Sequence, residues 1–499
     1  MTATYTPEPF PTRSLARATG VRIEPDPSRV VARLFVPGLE DVGPQGSRAG
    51  SVIDRILRLE ESLVEPTLQD VYARFAGRHR DLVAIFEANA QKVLTLIDPA
   101  ISISPSRRQL IGAYFTHEYS IEGASLSNPS IVLHPDDTGT DTARIVMSVR
   151  GIGEGHKSSI GFRTGTISAH GEVSIDPPSP FAQIAHGTPG RNYRSVYHAK
   201  LDLLGDDFEY VHHLMAMLPA EFDEFELGGA LTAMSADHSV HRLSPALVNH
   251  AINLSHWSYQ VEFPDETEVS ERVLWPQAPP EYHGMEDARF VRFTEDDGAV
   301  TYYATYTAFD RGNISLQLLQ TTDFRRFASS PMAGAAAVGK GLALFPRRIG
   351  GRYMALTRAD RETNGVASSD DIRHWASFEM LQLPQEHWEV LQLGNCGSPI
   401  ETPQGWLVLT HGVGPMRTYA LGALLLDLDQ PHRVLARTIE PILFPDDEHR
   451  DGYVPNVVYS CGGMAHGDHL VVPFGIADQR IAIATFSISA LIDAMQEAE

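Results

Sequence analysis

Glu286 and Asp287 are adjacent carboxylates in Gly284-Met285-Glu286-Asp287-Ala288-Arg289-Phe290, with Arg289 two residues on. On a strand, neighbouring side chains point to opposite faces. Glu286 and Asp287 are therefore expected to diverge, and Asp287 and Arg289 to share a face. An aspartate beside an arginine is held ionised, whereas one shielded from that charge serves as a proton donor. The same pattern also describes a salt-bridged surface turn. Other polar residues end short apolar runs further on: Arg358 after Met354-Ala355-Leu356-Thr357, His411 after Leu407-Val408-Leu409-Thr410, and Asp478 after Gly475-Ile476-Ala477. Brought into one concavity, they would make a site for a polar ligand.

The elements able to gather them are β-strands. Four segments share one shape, an apolar strand, a Gly- or Asp-containing turn and a second apolar strand with a polar end. They begin at Arg289, Leu344, Pro399 and Val457, roughly 55 residues apart, a period in the range of propeller blades. Strand candidates at 131–133, 144–149 and 159–163 supply one more unit. A mainly β chain forming a five-bladed β-propeller over about 121–490 is the expected architecture, with an irregular β-sandwich as the alternative. In a propeller, Asp287, Arg358, His411 and Asp478 would come from four different blades. Before it, helical spacing at 51–63 and 67–97 (Val71, Phe75, Leu82, Phe86, Val93) predicts an N-terminal helical extension over 1–120, with Pro66 suiting a helix start. A second helical piece at 206–233, Phe208, Val211, Leu214 and Leu218, reads as an insertion near 205–235. The extension is expected to cap the pocket or to join copies of the chain in a homo-oligomer.

Composition narrows the function classes. The 499 residues carry 40 Lys and Arg against 63 Asp and Glu, a formal net charge of −23. Nucleic acids and anionic membrane surfaces need a basic footprint, so neither is an expected partner. A small anionic substrate would need a local basic pocket. No apolar run is long enough for a membrane span. The start, Met1 to Ser14, has no apolar signal-peptide core. Cys396 and Cys461, the two cysteines, have neither metal spacing nor a disulfide framework, and a reducing, cytoplasmic setting is expected. His212-His213 and His466/His469 lack a second ligand set, so no metal is expected. Arg150 and Arg163 flank the run Gly151-Ile152-Gly153-Glu154-Gly155-His156, which reads as a turn between strands rather than a phosphate loop.

Several ordered motifs together resemble glycoside hydrolase family 130, the β-mannoside phosphorylases and related β-mannosidases. They are Gly284-Met285-Glu286-Asp287-Ala288-Arg289, Leu344-Phe345-Pro346-Arg347-Arg348-Ile349-Gly350-Gly351-Arg352-Tyr353, Gly405-Trp406-Leu407 with His411-Gly412-Val413, Leu421-Gly422-Ala423 through Asp429, and Val454-Pro455-Asn456-Val457-Val458. The resemblance runs from about 128 to 483. It implies a five-bladed propeller and an inverting reaction in which phosphate, or water in the hydrolases, attacks opposite a carboxylic acid. Asp287 matches the catalytic acid, whose proton is thought to pass through a mannosyl hydroxyl. Glu286 and Arg289 would orient the sugar and Asp287, and Asp478 would bind sugar hydroxyls. Lys340, Arg358, His411 and Tyr419 match phosphate-binding positions; an Arg fork, a Lys point charge, a His able to become a cation and a Tyr hydroxyl all suit an oxyanion. The implied partners are a β-mannoside oligosaccharide, β-1,2-linked manno-oligosaccharides among them, and inorganic phosphate as co-substrate, with no other cofactor.

The chain also departs from the family. Phosphorylases of the family commonly carry a lysine where this chain has Gln392, in Gln392-Leu393-Gly394-Asn395, and position 341, often polar, is Gly341. The phosphate site thus has one cation fewer. Phosphorolysis to α-mannose 1-phosphate is the favoured reaction. An inverting β-mannosidase would need a carboxylate base set well apart from the acid, for which Glu389 and Glu401 are the candidates. A non-catalytic sugar-binding propeller is the third reading, since fold does not fix function.

Overall fold

Short runs of Val, Ile, Leu and aromatic residues, broken at Gly, Asp and Asn, make this a mainly β chain. The computed structural model describes residues 15–38, 48–139, 141–203, 208–236 and 244–497. The chain divides into two units, one of residues 26–123 with 179–183 and one of residues 1–25, 124–178 and 184–499.

The smaller unit holds α1 Arg48–Leu57, α2 Glu61–Phe75, α3 Leu82–Val93 and α4 Pro105–Tyr114, with Val30–Leu34 paired antiparallel to Thr116–Ser120. The helical pattern over 67–97 is not one helix. Ala76–Arg78 forms a 3-10 turn, and Asp81 restarts the helix by accepting the Ala84 amide at 2.8 Å, as an N-cap does. Pro66 lies inside α2 rather than at its start. The proline has no N–H to offer the Ser62 carbonyl, but Ser62 is exposed, so water can take that bond.

In the larger unit, strands 125–133, 143–152 and 158–167 continue into 284–294, 300–310 and 313–321 of the same sheet. The two groups are joined by a single parallel pair, Ser158↔Gly284. Aromatic packing reinforces that thin joint. The Phe162 ring stacks on Phe327 at 5.7 Å and meets Phe290 and Phe324 edge-on at 5.9 and 5.5 Å. Further sheets contain 353–357 with 364–369, 405–413 with 419–426, and 469–476 with 480–487. Arg17–Ile23, at the start of the chain, pairs antiparallel with Arg480–Ser487 near its end. The segment read as helical at 206–233 belongs to a longer one, α5 Arg194–Asp202, α6 Phe208–Met217, α7 Glu224–Ala236 and α8 Pro245–Ser255, packed around Tyr197, Leu214, Phe222 and Leu254. Among the described residues no helix is long and apolar enough to cross a membrane.

Five hairpins of the larger unit close with turns of two to seven residues. They close at Ile152↔Ser158, Asp310↔Asn313, Thr357↔Gly365, Val413↔Tyr419 and Ile476↔Arg480. Each turn contains a non-glycine residue in the left-handed region: His156 (φ 59°), Arg311 (45°), Arg361 (69°), Met416 with Arg417 (both 56°), and Ala477 with Asp478 (both 48°). Left-handed backbone suits tight hairpin turns but is cheapest for glycine.

Phe162→Ala should remove the ring that joins the two strand groups. Fully buried Phe-to-Ala changes cost about 3–5 kcal/mol, so the melting temperature should fall by several degrees in a thermal scan. An unchanged melting temperature would mean that this aromatic cluster does not hold the sheet together.

Candidate active site

Asp287 does not follow strand alternation. Glu286 pairs with Thr307 and Arg289 with Thr305, leaving an extra residue between them, and Asp287 has φ 55°. That is a β-bulge, which re-aims a side chain. A second bulge lies at Asn128, between the pairs Ser127↔Arg150 and Ser130↔Ser148, with φ 49°. The two bulges meet: Asn128 Nδ2 donates to Asp287 Oδ1 at 2.8 Å. Beside them, the Phe290 amide donates to Ser130 Oγ at 3.1 Å.

The bulge also corrects the expected pairing of Asp287 with Arg289. Arg289 donates to the backbone carbonyl of Asp287 at 2.9 Å and to Tyr459 Oη at 2.8 Å. It braces the bulge from beneath rather than neutralising the carboxylate by direct contact. Glu286 takes the cations instead. Its Oε1 accepts from Arg150 at 2.6 Å and its Oε2 from Lys340 Nζ at 2.6 Å. Glu286 and Arg150 are largely buried, whereas the Lys340 side chain is 38% exposed.

Charge and burial oppose each other at Asp287. Burial pushes its carboxyl up, but Lys340, Arg289, Arg150 and Arg358 outweigh that and hold it below the usual aspartate range. Burial likewise favours a neutral Lys340, and the carboxylates of Asp287 and Glu286 reverse this, holding its ammonium above the ordinary lysine range. Asp478, in the turn of the fifth hairpin, goes the other way. Burial, with the Asp287 charge adding to it against Arg150, pushes it up to about 6. The site therefore contains one carboxyl held ionised and one held ready to carry a proton.

A second group of side chains gathers where the third and fourth hairpins turn. Arg358 directly follows its strand and is buried, not paired on the surface with Asp360, whose carboxylate accepts from the Glu362 and Thr363 amides at 3.0 and 2.9 Å. The stem of Arg358 lies across Gly394. A Cβ there would fall 2.2 Å from Arg358 Cδ and 2.8 Å from His411 Cε1. Gly341 (φ 92°) is under the same constraint, because its Cβ would sit 2.9 Å from Arg358 Cδ. The glycine at 341 is thus explained by the arginine it accommodates.

His411 pairs across the sheet with Gly394 and stacks on Tyr419 with ring centroids 6.1 Å apart. Gln392 Nε2 reaches Tyr419 Oη at 3.5 Å. His411 is not the cation that its type suggested. Burial, reinforced by Arg358 and Arg289, pushes its imidazole well below the usual range, so it is neutral at pH 7. Among the described residues, Arg358 Nε and both side-chain amide atoms of Asn395 have no hydrogen-bond partner. Buried polar atoms are rarely left unpaired, and a concentration of them marks a place where ligand or water completes the bonding.

The structure thus brings Asp287, Glu286, Arg289 and Lys340 together, and Arg358, His411, Tyr419 and Gln392 together. Arg358 also acts electrostatically on Asp287. Asn128, Ser130, Arg150, Tyr459 and Asn395 join them without having been singled out as site residues. Of the two base candidates, Glu401 is exposed and pairs with Arg347 at 2.6 Å. It lies opposite Trp406, at the far end of the strand that carries His411. Glu389 is buried, and its carboxylate accepts the Gln385 and Glu386 amides at 3.1 and 3.2 Å. No cluster of three His, Cys, Asp or Glu side chains is arranged to hold a metal ion among the described residues.

A family model described as beta-1,4-mannooligosaccharide phosphorylase matches residues 240–497. A 1,2-β-oligomannan phosphorylase from Thermoanaerobacter sp. is 35% identical over 217 residues, 42% of this chain and 71% of that protein. A β-1,2-mannobiose phosphorylase from Listeria innocua is 31% identical over 230 residues, 45% of this chain and 63% of that protein. A solved structure of a Listeria innocua β-1,2-mannobiose phosphorylase with β-1,2-mannobiose aligns with a TM-score of 0.45 at 23% identity, over 74% of this chain and 92% of that one.

The upward shift at Asp478 has a stability signature. Its folded-state value, about 6, lies above the roughly 3.9 of a solvated aspartate. The native state therefore binds the extra proton between these values, and the group costs stability as pH rises through that window. Asp478→Asn removes the cost, so its melting temperature should exceed the parent's at pH 8 and match it near pH 4. An equal gain at both values would show that the Asp478 carboxyl is not shifted.

Proposed function

The chain belongs to glycoside hydrolase family 130, and from that membership we propose that it is an inverting phosphorylase that cleaves β-mannosides with inorganic phosphate to give α-mannose 1-phosphate. The observation that carries this reading is an aspartate in a braced bulge within electrostatic reach of a separate group that holds buried polar atoms without partners.

In this reading the five hairpins are the inner parts of five propeller blades, and their turns surround the pocket. Asp287 is the acid. Asn128 fixes the rotation of its carboxyl, and Arg289 with Tyr459 fixes the backbone that carries it. Glu286 keeps Arg150 and Lys340 in place, and Asp478 binds mannosyl hydroxyls. The phosphate lies against Lys340, Arg358, Tyr419 and Gln392, with His411 as a neutral hydrogen-bonding ring behind them. Preorganised donors of this kind stabilise a transferring oxyanion without a protein base. The bond from C1 to the leaving sugar breaks as a bond from C1 to a phosphate oxygen forms on the opposite face. The leaving oxygen takes the proton of Asp287, relayed through a mannosyl hydroxyl, and the proton of the hydrogen phosphate restores the acid.

Phosphate has a second effect here. The cations that keep Asp287 ionised, Lys340 and Arg358 among them, are the ones that a bound dianion would neutralise. Loading phosphate therefore raises the affinity of Asp287 for its proton, so that the acid is armed only when the nucleophile is present. Hydrolysis is disfavoured because Glu401 lies at the far end of its strand and Glu389 is engaged with backbone amides. The two buried thiols, Cys396 and Cys461, fit a cytoplasmic setting.

Incubation with β-1,2-mannobiose and with β-1,4-mannobiose, each with and without phosphate, tests the reading. Mannose 1-phosphate should appear only when phosphate is present; phosphate-independent release of mannose would replace it with a hydrolase. Asp287→Asn should lower kcat by about 10²–10⁴-fold, the usual scale of general-acid catalysis, with the fold intact by circular dichroism. A near-parental rate would remove Asp287 from the chemistry. Gln392→Lys adds the charge that this phosphate site lacks, and the KM for phosphate should fall while that for the mannoside stays constant. An unchanged phosphate KM would place Gln392 outside the anion site.

A further inference from the structure

The phosphate must approach a chain with a formal net charge of −23, which repels a dianion. Two residues in the turns answer that problem. Arg361 and Arg417 occupy equivalent turns of the third and fourth hairpins, the two that carry Arg358, His411 and Tyr419. Both are exposed, and neither has an ion-pair partner among the described residues.

Their placement relative to the anion group is direct. The stem of Arg361 passes over Gly339, next to Lys340; a Cβ on Gly339 would lie 4.0 Å from Arg361 Cγ. The turn that carries it is pinned on Arg358, which donates to the Arg361 carbonyl at 3.4 Å and accepts the Arg361 amide at its own carbonyl at 2.9 Å. The Arg417 guanidinium lies 5.9 Å from the centroid of the Tyr419 ring. Each has an acid near it, and Arg417 acts on the Asp478 carboxyl. Asp360 is turned inward onto Thr363 and the Glu362 amide, whereas Glu362 is exposed beside Arg361. Backbone conformation adds a second argument. Both arginines are left-handed, at 69° and 56°, where glycine would be free of strain. These turns carry a long cationic side chain at positions where their geometry favours none.

We propose that Arg361 and Arg417 form a cationic collar over the anion group and draw inorganic phosphate into the pocket against the negative charge of the rest of the chain. This rests on the phosphorylase reading and extends it to residues that need not touch bound phosphate. A charged collar acts at a range set by salt screening, about 10 Å at 0.1 M ionic strength. It raises the local concentration and capture of the anion by about tenfold or more. It has no comparable effect on a neutral mannoside.

The test is steady-state phosphorolysis of β-1,2-mannobiose by the Arg361→Gly/Arg417→Gly double variant, across ionic strengths from about 20 mM to about 500 mM, a range that screens such a field. Glycine suits both backbone positions, so the fold should survive; an unaltered melting temperature checks this. At low salt, kcat/KM for phosphate should fall about tenfold, and the difference should shrink towards none at high salt. The kcat/KM for the mannoside at saturating phosphate should stay within about twofold, since a neutral ligand is not steered. Arg311→Gly, in the equivalent turn of the second hairpin, beside His283, removes a charge from a hairpin that carries none of Arg358, His411 and Tyr419 and should have a clearly smaller effect on phosphate. A double variant with the parent's phosphate kcat/KM and salt dependence overturns the collar, as does an Arg311→Gly effect as large as that of the pair. In both cases phosphate-dependent turnover by the parent would leave the phosphorylase reading standing. Phosphate-independent turnover by the parent overturns both.

Discussion

The site depends on one shared carboxylate. Glu286 binds Arg150 with one oxygen and Lys340 with the other, linking the first hairpin to the loop that leads into the third. Arg150, Arg289, Lys340 and Arg358 all act on the same small region. Gathering so many cations away from water is unfavourable unless counter-charges are close and well oriented. Glu286 supplies one such charge and Asp287 the other. Their roles differ because their backbones differ: Glu286 stays in register on its strand, whereas Asp287 is pushed out of it by the bulge. A carboxylate locked between two cations is a poor acid. Its neighbour, re-aimed and held through a neutral amide, makes no direct ion pair; the surrounding cations keep it ionised, and in the proposed reaction it gains its proton as bound phosphate offsets them.

The two bulges connect fold to chemistry. A regular ladder would point Asn128 and Asp287 along alternating directions fixed by the pleat. Left-handed backbone at both positions turns the side chains towards each other, and Arg289 with Tyr459 supports the distortion from below. Non-glycine residues in this region cost of order 1 kcal/mol or more each, and the surrounding sheet holds them there. The same conformation recurs in the five hairpin turns. Glu401 and Arg347, at the other end of the strand that carries His411, make an ordinary surface pair.

Much of this was legible from residue patterns. The strand runs, their spacing and the polar residues at their ends follow from apolar runs broken at Gly and Asp, and Arg358 and His411 stood out for that reason, whereas Asp287 stood out by its neighbours Glu286 and Arg289. The partners of Asp287 were not legible. Asn128 carried no signal of its own as a site residue, and Arg150 was read as the edge of a glycine turn, because their meaning lies in a register between distant strands. Periodicity also cannot reveal a bulge: one inserted residue reverses every facing relation after it, and so Arg289 was expected beside the carboxylate it actually supports from behind. The charge of His411 was misjudged for a related cause, since burial against two arginines is a tertiary fact. Helix boundaries failed locally, at Asp81, where a capping side chain restarts a helix within one apolar pattern.

In the proposed reaction, Asp287 and the phosphate donors act from opposite faces of one mannosyl ring. Stereochemistry reports this directly. Proton and phosphorus NMR of the first product formed from β-1,2-mannobiose, recorded before any mutarotation or reversal, should show α-configured mannose 1-phosphate alone. A β-configured mannosyl phosphate would place acid and nucleophile on the same course through a covalent intermediate and contradict the account.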